Sequence, residues 1–130
     1  MSKITYQECY RRLFDEVAGI VFVKANGELR VMLATKNKEI ARLVSGADNV
    51  DFTYELMKLD RKCNINTGNM SVIDIQLTEG RCFKVERLVD IHFYGTPTTE
   101  EEADRIYADF KGFETEYTKH KNQTEDIDSL

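Results

Sequence analysis

The chain has 130 residues, of which 18 are Lys or Arg, 23 are Asp or Glu and three are Cys, for a net charge of −5. That length suits one domain of about 100–150 residues, and 42% hydrophobic residues, with six Tyr and seven Phe, are enough for a core and argue against global disorder. The acidity argues against a protein that coats DNA by bulk charge, and no stretch approaches the ~20 apolar residues of a membrane-spanning helix.

The polar start Met1-Ser2-Lys3 leads into no signal-peptide apolar run. Three cysteines without tight spacing read as reduced thiols in a cytoplasm-like compartment. Charge is unevenly placed: residues 1–46 carry eight basic and five acidic side chains, residues 47–96 six and eight, and residues 97–130 four and ten. The last third is an acidic arm on a nearly neutral body, the pattern of an interaction segment or of a well-solvated terminal helix.

In chain order, Thr5 and Glu8 stand at capping-box spacing, with Ile4 and Cys9 placed for the accompanying hydrophobic staple. Cys9, Tyr10, Leu13, Phe14 and Val17 share one helical face and Gly19 is a natural stop, so a helix is expected over about residues 5–18. Two apolar β-branched runs, 20–25 and 28–35, flank Asn26-Gly27, the sequence of a two-residue type I′ hairpin turn. Alternation points Leu29, Val31 and Leu33 to the core, with Arg30 and Met32 on the other face. Asn37 caps a short helix that carries Ile40, Leu43 and Val44 inward and ends at Ser45-Gly46, and Asp51 starts a second one near 51–60.

After the polar loop Cys63–Asn69, strands are expected at 70–77, 81–85 and 88–94, with a turn at Thr78-Glu79-Gly80 and a sharp break at Glu86-Arg87. Five strands joined locally, except across the 36–69 crossover, suit a small closed or nearly closed antiparallel barrel, which hides the edges of the sheet. Pro97 ends the last strand, and Thr98 with Glu101 repeats the capping-box spacing. Glu100, Glu101 and Glu102 fall in the first turn, where the helix dipole favours negative charge. Ala103, Ile106, Tyr107, Phe110, Phe113 and Tyr117 follow as an apolar stripe, and a frayed end is expected from Lys121. The fold class is thus α+β, with residues 1–97 as helix plus barrel and residues 98–130 as an acidic helix and tail, part of the same domain or an appended arm.

No enzymatic chemistry stands out. The chain has no Gly-x-Ser-x-Gly elbow, no GxxxxGK[ST] loop and no GxGxxG turn. His92 alternates with Ile91 and Phe93 as a surface residue of the last strand, and His120 sits near the end of the tail helix. Cys9, Cys63, Cys82 and His92 lack zinc-site spacing. No metal, cofactor or catalytic residue is therefore assigned.

Two constellations remain as binding surfaces. One is basic: Arg61, Lys62, Arg81, Lys84 and Arg87, which with Lys24, Arg30, Lys36 and Lys38 make a strip of the kind small barrels use for nucleic acids or nucleotides, or are simply edge charges that discourage aggregation. The other is the tail helix, where Ile106, Tyr107, Phe110, Phe113 and Tyr117, with Glu101 and Glu102, either pack on the barrel or dock a basic partner surface.

The run Gly27-Glu28-Leu29-Arg30-Val31-Met32-Leu33-Ala34-Thr35-Lys36-Asn37, followed by Met70–Ile75 and Glu79–Leu88, resembles the WYL-like, Sm-type SH3 β-barrel proteins of tailed bacteriophages. The resemblance spans about residues 13–94; it departs where that family tends to carry a Trp-Arg pair, since this chain has no Trp, and in the length of the insert at 47–69. It implies a five-stranded SH3/Sm-like barrel in a non-enzymatic phage accessory protein of the infected bacterium's cytoplasm. The implied partner is a host protein, with RNA polymerase the named one and modulation of transcription the outcome. Nucleic-acid or signalling-nucleotide binding in host-defence evasion, and a structural homo-oligomer, are the alternatives.

Overall fold

The structure is a computed structural model and describes residues 4–47, 51–59 and 61–128, with side chains along the last helix to Thr118. Helix α1 (Tyr6–Asp15) is followed by strands β1 (Ala18–Val23) and β2 (Leu29–Thr35), then helices α2 (Lys38–Ser45) and α3 (Phe52–Met57). Strands β3 (Asn69–Asp74) and β4 (Glu79–Lys84) come next, then a 3₁₀ turn (Val85–Arg87), strand β5 (Leu88–Phe93) and the long helix α4 (Glu100–Asp128). The fold is α+β, with one five-stranded antiparallel sheet in the order β4-β3-β2-β1-β5 and four α-helices among the described residues.

The sheet does not close into a barrel. β4 and β5 follow one another in the chain yet occupy opposite edges, because the 3₁₀ turn swings the chain off β4 and β5 pairs with β1, from Ala18↔Phe93 to Phe22↔Leu88. The junction of the two halves is narrow, since β2 and β3 share only the register pairs Ala34↔Asp74 and Thr35↔Ile73. The edge strands still meet through side chains: Phe83 of β4 lies in one apolar cluster with Phe22 and Met32, and Leu88, Ile91 and Phe93 of β5 pack against it.

Both faces of the central strands are buried. Ala18, Ile20, Phe22, Met32 and Ala34 face a cluster completed by Cys9 and Leu13 of α1 and by Met70 and Val72 of β3. Val17 and Leu33 face the other side, where Ile40 of α2, Ile75, and Ile106 and Phe110 of α4 cover them. Alternation along β2 is as expected, but Met32 is core rather than surface, and Leu29 is the exposed end of the strand.

Caps mark the helix starts. Thr5 Oγ1 accepts from Glu8 N–H, Asn37 Oδ1 from Glu39 and Ile40, and Asp51 from Tyr54. At α4 the capping box lies one residue later than the Thr98/Glu101 spacing implies: Thr99 Oγ1 accepts from Glu102 N–H, while the Glu102 carboxylate accepts from Thr98 N–H. The hairpin after β1 also differs in detail. Gly27 alone takes positive φ and donates to Lys24 O, and Asn26 uses its side chain to accept from Glu28 N–H. That is a longer turn than type I′.

Two glycines lie in strands because helices cross closely over them. Gly19, expected as a helix stop, belongs to β1; α1 has already ended at Asp15, and a Cβ at Gly19 would meet the Phe110 and Phe113 rings at 3.1–3.2 Å. Gly80, expected in the turn, lies in β4 under α3, where a Cβ would collide with the Glu55 carbonyl. Gly80→Ala should therefore lower stability by about 1–3 kcal/mol through overpacking. Gly112, exposed in α4 with nothing near its missing Cβ, should gain about 0.5–1 kcal/mol on replacement by Ala. Urea titration of the two variants beside the wild type checks both signs.

Candidate functional site

The surface that the core does not absorb lies on α1. Helical spacing stacks Tyr6, Tyr10 and Phe14 at i, i+4 and i+8, beside the buried Cys9 and Leu13. The Tyr6 and Tyr10 rings are 6.5 Å apart and the Tyr10 and Phe14 rings 5.1 Å apart. Tyr6 is tied down by its hydroxyl, which donates to Asn69 O, whereas Tyr10 and Phe14 are each 43% exposed.

Thr35-Lys36-Asn37 holds the C-terminal turn of α1, whose last carbonyls have no partner within the helix. Thr35 Oγ1 lies 3.0 Å from Leu13 O, Lys36 N–H donates to the same carbonyl, and Asn37 Nδ2 donates to Phe14 O at 2.9 Å. Between these two clamps the Lys36 side chain runs beneath the helix and is only 6% exposed. Its ammonium donates to Ser71 O at 2.6 Å and to Ser71 Oγ at 3.0 Å, and lies 4.9 Å from the Tyr10 ring and 5.8 Å from the Phe14 ring. A buried ammonium requires such partners, and in return the cation fixes the two rings from below.

Lys36 lines two hollows. One, of about 460 Å³, is lined by Phe14, Lys38, Leu56 and Met57; the other, of about 480 Å³, by Tyr6, Tyr10, Cys63, Asn64 and Ile65. Met57 and Ile65 rise at the two ends, 64% and 51% exposed. The result is a groove with an aromatic wall and a cationic floor, and its apolar residues protrude where a partner could cover them.

The residues singled out in the sequence are placed differently. In α4, Ile106 and Phe110 are buried in the chain's own core, with Tyr107 and Phe113 packed against the same cluster. Tyr117 donates to Asp90 on β5 at 2.6 Å. Glu102 belongs to the helix cap, and Glu101 is on the solvent face beside Arg105. The stripe therefore packs on the sheet and only the acidic outer face of α4 is free.

Of the basic set, Arg81 and Lys84 stand three apart in β4 and so point to opposite faces. Arg81 pairs with Glu79 at 3.1 Å, its buried Nε having no hydrogen-bond partner, and Lys84 lies 3.9 Å from Glu86. Arg87 reaches Lys24 O, while Arg61 and Lys62 are exposed in the crossover loop.

His92 packs on Tyr94 and Phe113; the side chain of His120 lies outside the described residues. Among the described residues no group of three His, Cys, Asp or Glu side chains is placed to hold a metal. Cys63 and Cys82 form a disulfide, which corrects the expectation of reduced thiols: the fold brings the crossover loop onto β4 across 19 positions. Cys9 is a free thiol, and burial pushes it up to about 12. Comparison with family models, with curated proteins and with solved structures finds no match to this chain.

Sequence reasoning placed Tyr10 and Phe14 on the inward face of α1. The available signal is the width of that face: five apolar residues in nine positions, Cys9 to Val17, exceed what one helix in a small domain can bury.

The α4 dock carries its own pH signature. Burial, reinforced by the hydrogen bond to Asp90, pushes Tyr117 up to about 12, and burial beside Asp109 and Asp90 does the same for Tyr94. Both lie above their ordinary value of 10.0, so the fold holds the neutral phenols. Their contribution is complete below pH 10 and is lost as the pH rises through 12. Tyr117→Phe should lose less stability than the wild type between those limits, measured as denaturation midpoints at both ends.

Proposed function

We propose that this chain is a non-enzymatic protein-binding module of a tailed bacteriophage and that it binds through the α1 groove. The observation that carries this is the Tyr10–Phe14 wall, exposed yet held rigid over Lys36. Rigid, amphipathic rings of this kind dominate binding energy at protein interfaces, because they bury large area at little cost in side-chain entropy. The tail helix is a weaker candidate, since its aromatic stripe already packs against the sheet.

The strand order and the three-residue link between the edge strands support reading the sheet as an opened form of the SH3/Sm-type barrel. The resemblance of residues 13–94 to the phage barrel family supplies the partner: a host protein in the cytoplasm of the infected bacterium. RNA polymerase is the named one, since the RNA-polymerase-binding protein of T-even phages is similar to this chain in length and acidity. The consequence of binding is modulation of transcription.

Affinity capture from nuclease-treated host lysate, read by mass spectrometry, tests this. Wild type should retain the polymerase subunits in stoichiometric amounts. Tyr10→Ala with Phe14→Ala should weaken capture by about 30-fold or more, the loss of one interface hot spot, while leaving the fold intact. Glu101→Lys with Asp104→Lys, on the solvent face of α4, should leave capture unchanged. Truncation after Pro97 is not a clean probe, because it removes Ile106 and Phe110 from the core. Capture lost only in the α4 variant would move the interface to the tail. Retention of nucleic acid alone before nuclease treatment would replace protein binding by the basic-strip alternative.

A further inference from the structure

We propose that Cys63 and Cys82 form a thiol–disulfide exchange site that sets the shape of the α1 groove. This rests on the groove reading above and adds its regulation. Cys63, with Asn64 and Ile65, lines the same hollow as Tyr6 and Tyr10. Cys82 stands across from Ser71 in the β3–β4 register, and Ser71 is the residue that receives the Lys36 ammonium. The disulfide, the buried cation and the aromatic wall are therefore contiguous.

Most of the hydrogen bonds of this loop are internal to it. Thr67 Oγ1 is bonded to Lys62 and Asn64, Gly68 N–H donates to Asn64 O, and Asn69 Nδ2 donates to Lys62 O. All of these are bonds within the loop or to the first residue of β3. Among the described residues, hydrogen bonds from this loop to its surroundings run from Lys62 N–H to Leu59 O, from Val85 N–H to Gly68 O and from the Tyr6 hydroxyl to Asn69 O. The Cys63–Cys82 bond joins this loop covalently to β4. Both cysteines are half-buried, so a reductant can reach them; Cys9, fully buried in the core, cannot exchange with either.

The chemistry balances with a dithiol as reductant. A thiolate of the dithiol attacks one sulfur, the mixed disulfide is resolved by the second thiol, and the dithiol is left as a disulfide. Two electrons and two protons pass to Cys63 and Cys82, which become free thiols. The wall carrying Ile65 is then released from β4 and the groove loses its preorganised shape, which lowers affinity without removing the rings.

The test needs no partner. Protein oxidised with glutathione disulfide and protein reduced with dithiothreitol are alkylated, weighed intact and followed by hydrogen exchange. The oxidised protein should take up two fewer alkyl groups under denaturing conditions. Reduction should accelerate exchange at residues 61–68 by about tenfold or more, the loss of one local restraint, with β1 and β2 unchanged. Cys63→Ser and Cys82→Ser should each reproduce the reduced pattern under either condition. Three alkylated cysteines in the oxidised sample would overturn the proposal, and so would identical exchange of the loop in both states. In the capture assay, reduction should lower retention of polymerase by wild type but not by the Cys63→Ser variant. Failure of all capture, with the exchange difference intact, would reject the polymerase reading and leave the switch standing.

Discussion

The fold depends on the two-sided burial of β1 and β2. Each strand is apolar on both faces, with Ile20 and Phe22 alternating with Val21, and Met32 and Ala34 with Leu33. A sheet of this kind in a chain of 130 residues must be covered twice. Helix α1 supplies Cys9 and Leu13 to one face, and α4 supplies Ile106 and Phe110 to the other, assisted by Ile40 of α2. Full burial of a side chain such as Phe110 is worth roughly 1.5–3 kcal/mol, so α4 is held to the sheet well before Tyr117 reaches Asp90. The arm that its charge sets apart from the body is in packing terms the second cover of the core.

The same requirement leaves Tyr10 and Phe14 over. A helix can turn only one stripe to a sheet, and on α1 that stripe is already filled by Cys9 and Leu13. The two rings stand about 80–120° of helical rotation from the middle of that stripe and are left at the margin. There the Thr35-Lys36-Asn37 segment fixes the end of α1 with its outer residues and supports the rings with its middle one. One tripeptide thus ends β2, starts α2 and builds the floor of the groove.

Much of this was legible in the sequence, and the failures have specific physical causes. Thr5, Asn37 and Asp51 reveal their helices because a cap is a local contact between neighbours in the chain. The strand runs are equally local. Gly19 and Gly80 were misassigned to a helix stop and a turn because their role is set by the helices that cross above them, which spacing does not report. The capping box of α4 slips by one residue because consecutive threonines, Thr98 and Thr99, each precede a glutamate at the right interval. The disulfide joins positions whose proximity exists only once β3 and β4 have paired. The groove itself is a remainder, the apolar surface left when the core has taken what it needs. Periodicity identifies an apolar face but not how much of it the neighbouring layer can cover.

The open sheet accounts for the charges on its edge strands. With β4 and β5 as its two edges, each presents unpaired backbone groups along one side. β4 carries Glu79, Arg81 and Lys84, with Arg81 and Lys84 on opposite faces and both near acids; β5 carries exposed Asp90 and His92, and the β1–β5 register shifts between Val21 and Phe22. Mixed charges and a register irregularity are the devices by which edge strands avoid pairing with a second sheet. A surface selected to bind a polyanion would instead leave its cations without neighbouring acids and gather them on one face. The alternation in β4 opposes that arrangement for Arg81 and Lys84, the two cations of the basic set that lie on an edge strand, where an exposed edge has its own need of charge.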